Sequence, residues 1–245
     1  MMLDRSRLPT HLGIIMDGNG RWAQQRGRPR VAGHRAGARA VRRVVRECRR
    51  LGISYLTLYA FSAQNWGRPR QEVEGLMNLL GEFIAREWQE IMRRDIRVIQ
   101  LGEQRKVPAF VRQRLQALIK TSRHNRSMTL ALALSYGARE EIVRAARRLA
   151  RRIASGSLAP GAIDEASLSR LLYTTNLPDP DLIIRTGGEK RLSNFLLWQS
   201  AYSELIFSRK LWPDFDESDL QRALREFQRR RRRFGLTDEQ RQEKP

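Results

Sequence analysis

LGIIMDGNGRW, residues 12–22, passes from apolar strand formers directly into an acid, two glycines around an amide, an arginine and a tryptophan. A short apolar run that stops at a glycine-rich turn predicts a buried strand. The turn is dense in polar groups but carries little bulk, so its backbone is open to close approach. In open α/β sheets, ligands bind beyond the carboxyl ends of the strands, and this turn stands at such an end. Other strand-like runs follow at wide intervals: YLTLYAF (55–61), IRVIQL (96–101), MTLALAL (128–134) and DLIIRT (181–186).

Amphipathic helical patterns fill the gaps between these runs, over residues 34–51, 71–94, 108–122, 139–154 and 216–233. Gly52 reads as the stop of the first. Pro108 reads as first-turn proline of the third. DESD at 216–219 reads as the cap of the last, which closes in an arginine run of the polarity the helix dipole favours. Strands alternating with helices predict an α/β fold with a mainly parallel central sheet covered on both faces. No repeat or low-complexity linker divides the chain, so residues 1–245 read as a single domain.

Composition narrows the function classes. A hydrophobic fraction of 41% supports a core, and no run of eighteen apolar residues predicts a membrane-spanning helix. The N-terminal stretch lacks the apolar segment of a secretory signal, which makes the cytoplasm the expected compartment. One cysteine and three dispersed histidines argue against a Cys/His zinc site. The net charge of +21 favours anionic partners: polyanions, diphosphates or an anionic membrane face. A nucleic-acid-binding protein is therefore a rival reading, although the basic residues are spread over nearly every helix and no such motif is present.

Three strand ends carry the chemistry: DGNGRW after the first strand, SAQNWGRPR (62–70) after the second, and RTGGEKRLSNF (185–195) after a later one. One such turn alone is usually just a turn; three with arginines and small residues point to a site. Gly18, Gly20 and Ala23 satisfy G-x-G-x-x-A, but nothing acidic near residue 38 supplies the ribose ligand of a dinucleotide fold. No P-loop is present either. What remains is a set of bare backbone N–H groups suited to phosphate oxygens, with Asp17 beside them. A carboxylate next to phosphate calls for a cation between them, and Mg²⁺ takes that donor set. Arg21, Arg30, Arg68, Arg185 and Arg191 lie in or beside the three loops, where guanidinium–phosphate contacts form. Trp22, Trp66, Leu76, Phe83, Ile84, Leu130, Leu132 and Leu134 are candidates to line an apolar slot beside this polar head, a combination suited to an amphiphilic isoprenoid.

The motifs H-x-G-I-I-M-D-G-N-G-R-W-A, G-H-R-A-G, L-T-L-Y-A-F-S-x-x-N-W-x-R-P, L-I-I-R-T-G-G-E-x-R-L-S-N-F-L-L-W-Q-x-A-Y-S-E-L and L-W-P-D-F occur in this order. Over residues 11–234 the chain resembles the cis-prenyltransferases, most closely the bacterial undecaprenyl diphosphate synthases. The resemblance implies a cytosolic homodimer, active at the inner face of the membrane, that adds isopentenyl diphosphate sequentially to an allylic diphosphate such as farnesyl diphosphate. It implies a long-chain product, undecaprenyl diphosphate by default, the lipid-carrier precursor for cell-wall synthesis, with other chain lengths left open. By matching position, Asp17 would hold Mg²⁺ and assist departure of the allylic diphosphate. Gly18, Asn19, Gly20, Arg21, Arg30 and His34 would cradle that diphosphate, and Trp22 and Trp66 would wall the site. Ser62, Ala63, Gln64 and Asn65 form the loop linked to proton removal, with Asn65 as relay or positioning group because an amide is a poor base. Arg68, Arg185, Arg191, Leu192 and Ser193 would bind isopentenyl diphosphate, with Glu72 and Glu189 supporting the arginines. Glu204 matches a carboxylate linked to metal and dimer. Gln64, Ser135 and Ala138 depart from the family pattern, which usually has an acid, Asn and Gly there. A non-catalytic subunit of the family is the second rival, opposed by the intact GGEKRLSNF.

Overall fold

The computed structural model describes residues 3–230. Among them, six strands form one all-parallel sheet in the order β3-β4-β2-β1-β5-β6. These are β1 His11–Ile15, β2 Tyr55–Ser62, β3 Ile96–Leu101, β4 Met128–Tyr136, β5 Leu182–Arg185 and β6 Glu204–Phe207. The five runs read from the sequence are all strands. The sixth, ELIF, is four residues of mixed polarity at the sheet edge, too short to show a period.

The helices are α1 Asn19–Gln24, α2 Arg30–Leu51, α3 Arg70–Arg93, α4 Ala109–Thr121, α5 Ala138–Ala154, α6 Glu165–Ser169 and α7 Glu217–Arg229. The second begins at Arg30 rather than at 34, because Pro29 in extended conformation stands as its N-cap and the helix follows at once. Gly52 ends it with φ +90, as its position in the sequence predicts. Pro108 is the N-cap residue of α4, one place before the first turn. Asp216 caps α7 by accepting from Ser218 and Asp219 N–H. That helix stops at Arg229, and residues 231–233 of the expected arginine run lie outside the described residues.

Period-two alternation sends each strand to two cores. Leu12 and Ile14 of β1, with Leu130, Leu132 and Leu134 of β4, face the larger core; Ile15, Ala131 and Ala133 face the other. On that second face Gly13 and the alanines leave room for aromatic rings: a Cβ on Gly13 would stand 3.2 Å from Phe195. Chain order fans out in both directions from β1, with β2 on one side and β5 on the other. The carboxyl ends of β2, β1 and β5 are therefore three neighbours around a topological switch point, where such sheets bind ligands.

Candidate active site

Asp17 follows β1 by two residues, and its backbone is fixed from three sides. Its N–H donates to Thr186 Oγ1 (3.0 Å), its carbonyl accepts from Thr186 Oγ1 (2.7 Å), and it also accepts from Trp212 N–H (2.9 Å). Thr186 is fully buried just past β5, so this hydroxyl staples the first loaded strand end to the third. The Asp17 carboxylate then receives Arg185 Nη2 at 2.9 Å and pairs with Arg21 at 3.2 Å. Arg185 is only 4% exposed, and its other terminal nitrogen donates to Ser193 Oγ (2.6 Å) and the Arg191 carbonyl. Burying a guanidinium is expensive unless it is paired and hydrogen-bonded; three acceptors engage its two terminal nitrogens, while its Nε is buried without a hydrogen-bond partner.

Gly18 is the N-cap of α1 with φ +111, a conformation only glycine adopts readily. The helix is held against α2 at very close range. A Cβ on Gly33 would stand 1.9 Å from the Asn19 carbonyl oxygen, and one on Gly37 2.1 Å from Asn19 Oδ1. This contact is the physical content of GHRAG: its glycines let the DGNG loop sit on α2, and the helix presents Arg30 and His34 to the same space. The Arg30 guanidinium lies against Gly20, 2.9 Å from where a Cβ would be.

A cavity of about 310 Å³ opens beside this cluster. Its rim carries Asp17, Arg21, Arg30, His34, Asn65 and Arg68, and its apolar wall includes Val41, Leu76, Leu80, Phe83 and Leu132. Glu72 gathers two rim cations, Arg68 at 3.0 Å and Arg30 at 3.3 Å. Burial, reinforced by the Arg68 charge, opposed by Glu72 and reinforced again by Arg30, pushes the His34 imidazole down to about 4. His34 is therefore neutral at pH 7, and its Nε2 is buried with no hydrogen-bond partner.

The second loop closes with a reciprocal cap: Ser62 Oγ accepts from Asn65 N–H (3.2 Å), and Asn65 Oδ1 accepts from Ser62 N–H (3.1 Å). The Asn65 oxygen is thus engaged by the Ser62 N–H, and Asn65 lines the cavity. Ala63 turns toward a separate basic cavity, and Gln64 donates to Glu140 (2.9 Å). In the third loop Arg191 is exposed and paired with Glu189 (2.5 Å), Leu192 packs on the second core, and Ser193 adopts φ +49.

Four expectations change. Trp22 does not wall the cavity: it is buried beneath α1, donates from Nε1 to Asp214 (2.7 Å) and lies under Arg26. Trp66 packs edge-on against Phe61 and donates to Ser135 Oγ (2.9 Å), so it supports the loop from behind. Trp212, from LWPDF, supplies the aromatic wall instead, anchored by a bond to the Gly37 carbonyl (3.0 Å). Of the other apolar candidates, Leu76, Phe83 and Leu132 line the cavity, whereas Ile84, Leu130 and Leu134 are core. Glu204 lies at the start of β6, paired in register with Leu182 at the amino end of β5, and is bound to Arg230 (2.8 Å). Asp17 stands beyond the opposite, carboxyl end, so within one chain these two carboxylates do not share an ion. Nothing in the sequence motifs marks Tyr59 as a site residue: it lines the cavity, its hydroxyl lies between the Tyr136 (3.2 Å) and Ser193 (3.3 Å) carbonyls, which share its proton, and burial raises its phenol pKa so that the proton stays on.

Fold and site together define an α/β protein with a cationic-rimmed, apolar-walled cavity at the carboxyl ends of its strands, and comparison with known proteins gives the family. Residues 15–235 match the protein family described as "Putative undecaprenyl diphosphate synthase". The ditrans,polycis-undecaprenyl-diphosphate synthase ((2E,6E)-farnesyl-diphosphate specific) of Xanthomonas axonopodis pv. citri (strain 306) is 52% identical, over 95% of this chain and 91% of that protein. The isoprenyl transferase of Geobacter sulfurreducens is 51% identical over 96% and 95%. The crystal structure of lavandulyl diphosphate synthase from Lavandula x intermedia, in complex with dimethylallyl diphosphate, superposes with TM-score 0.92 at 38% identity, covering 94% of this chain and 99% of that one. The chain belongs to this family of undecaprenyl diphosphate synthase-like prenyl transferases.

Proposed function

We propose that this chain adds isopentenyl diphosphate sequentially, in cis geometry, to farnesyl diphosphate and so makes undecaprenyl diphosphate. The observation that carries the reading is one cavity with a cationic rim and an apolar wall, placed where three adjacent strands end. An allylic diphosphate has that polarity: a multiply charged head and a hydrocarbon tail. The names of the bacterial relatives supply the primer and the product length.

In this reading Arg21, Arg30 and the neutral His34 hold the allylic diphosphate over the backbone of residues 18–21. Arg68, Arg185, Arg191 and Ser193 hold isopentenyl diphosphate. The allylic C–O bond breaks, the new C–C bond forms, and one proton leaves the isopentenyl unit, whose approach Asn65 and Ser62 fix. Preorganised guanidinium groups stabilise the leaving charge without rearrangement. Magnesium fits the rim. Asp17 is the one carboxylate lining the cavity among the described residues, and no group of three ligating side chains assembles there. The remaining ligands then come from diphosphate oxygens and water, the donor set this ion takes. When bound, it would neutralise charge on the departing diphosphate.

The family resemblance further implies a homodimer. No helix among the described residues is long and apolar enough to cross a membrane, so contact with the bilayer would be peripheral, through the product. Incorporation of radiolabelled isopentenyl diphosphate, with farnesyl diphosphate and Mg²⁺ present, tests the reading. Label in a solvent-extractable polyprenyl product is the expected result. No incorporation overturns it; salt-sensitive binding to nucleic acid would then favour the basic-protein alternative.

A further inference from the structure

The first turn of α5 lies between the second and third loaded loops and touches both. Glu140 is its third residue, and both carboxylate oxygens are engaged. Oε1 accepts from Gln64 Nε2 (2.9 Å), and Oε2 accepts from Asn194 Nδ2 (2.8 Å). Gln64 precedes Asn65 in the second loop, and Asn194 follows Ser193 in the third. Asn194 also acts as the cap that α5 lacks locally, since Gly137 has no side chain to serve. Its carbonyl accepts from Ala138 N–H (2.9 Å) and its Oδ1 from Arg139 N–H (2.8 Å). From there the contacts continue through Ser193 Oγ to Arg185 and through Arg185 to Asp17.

Two further observations mark this joint as built. Ser193 and Asn194 are both left-handed, at φ +49 and +64, a conformation that Asn tolerates and that is uncommon for Ser. Gly137 is packed so tightly that a Cβ there would stand 2.2 Å from Glu140 Oε2 and 2.7 Å from Asn194 Nδ2. Its own φ of −155 is open to any residue, so a methyl there would act by displacing these two side-chain ends from each other rather than by straining the backbone.

We propose that Glu140 is a positioning residue that latches the 62–68 loop to the 185–196 loop and so sets the isopentenyl diphosphate half of the site. This rests on the assignment of Arg68, Arg185 and Ser193 to that substrate. It also accounts for Gln64: an acid at this place would meet the Glu140 carboxylate at hydrogen-bond distance, whereas an amide donates to it. The latch is solvent-exposed, so its effect is moderate; one charge-assisted hydrogen bond in water corresponds to a change of about three- to tenfold.

The test is steady-state kinetics on Glu140→Ala, Gln64→Glu, Gly137→Ala and the exchanged pair Gln64→Glu with Glu140→Gln, with hydrogen exchange measured on the same proteins. The three single variants are expected to raise KM for isopentenyl diphosphate about three- to tenfold, with KM for the allylic diphosphate unchanged and exchange of the 62–68 amides accelerated. In the exchanged pair the donor and acceptor have traded places, so KM and exchange return toward wild type. Equal shifts in both KM values, unchanged exchange in the singles, or no recovery in the exchanged pair would overturn the latch. If the wild-type chain transfers no prenyl group, the functional reading fails on its own, and exchange alone still decides whether Glu140 holds the loop.

Discussion

Replacing Asp17 by Asn removes one charge while nearly preserving shape, and three consequences of different sign follow. Stability falls. Arg185, 4% exposed, loses its carboxylate partner at 2.9 Å but keeps Ser193 Oγ and the Arg191 carbonyl. Breaking a fully buried pair costs about 3–5 kcal/mol. Asp17 is partly exposed and the remaining acceptors stay in place, so about 2 kcal/mol is expected, a drop in Tm of roughly 4–8 °C. Affinity for inorganic diphosphate without metal rises, because a negative charge is gone and Arg21 and Arg185 are released toward the ligand. A unit charge at about 5 Å and an effective dielectric of 20 is worth roughly 3 kcal/mol, and the two arginines already offset part of it, so a gain of about tenfold is expected. Turnover with Mg²⁺ is expected to fall by about a thousandfold or more, since in the proposed reading Asp17 is the protein ligand of the cation that balances the leaving charge. Calorimetry of diphosphate binding, thermal unfolding and labelled isopentenyl diphosphate incorporation read the three effects. Turnover within about threefold of wild type at saturating Mg²⁺ would refute the reasoning.

His34 gives a pH signature: its imidazole is held at about 4 against an ordinary 6.5, so as pH falls below 6.5 the unfolded chain takes up the proton first and folding stability declines. The loss grows until about pH 4 and then levels off, at no more than about 3 kcal/mol. Urea unfolding across pH 4–7 should therefore show a flatter profile for His34→Gln, and parallel profiles would contradict the assignment. Gly37→Ala places a methyl 2.1 Å from Asn19 Oδ1, so a destabilisation of about 1–3 kcal/mol and weaker allylic diphosphate binding are expected from denaturation and kinetics. Trp22→Phe loses the bond to Asp214 and part of a buried ring that lies under Arg26, so stability should drop by about 2 kcal/mol while KM for the allylic substrate stays within about twofold. A tenfold rise in that KM would return Trp22 to the cavity wall.

The sheet was legible because its strands are continuous apolar runs, as a sheet covered on both faces requires, and β1 could be read to within a residue. ELIF was not: four residues at an edge carry too little pattern. The three loaded turns were recognisable from residue type alone, and the structure places them on neighbouring strands β2, β1 and β5. Motif matching misplaced residues wherever position along a motif differs from direction in space. Trp22 lies within DGNGRW but on the far side of α1, whereas Trp212, almost two hundred residues later, faces the same cavity as Asp17. Glu204 follows the third loop closely in sequence, yet the chain has by then returned to the amino end of the sheet. Contacts such as Glu140 with Gln64 and Asn194 join three separate segments and have no local signature.

The central claim is repeated cis addition at the site that DGNGRW builds. The measurement that tests it most directly is reverse-phase separation and NMR of the product formed from farnesyl diphosphate, isopentenyl diphosphate and Mg²⁺. The account predicts an undecaprenyl chain in which every added double bond is Z, absent when isopentenyl diphosphate is replaced by dimethylallyl diphosphate alone. Added E double bonds, a single-addition product, or a product formed from dimethylallyl diphosphate alone would contradict it.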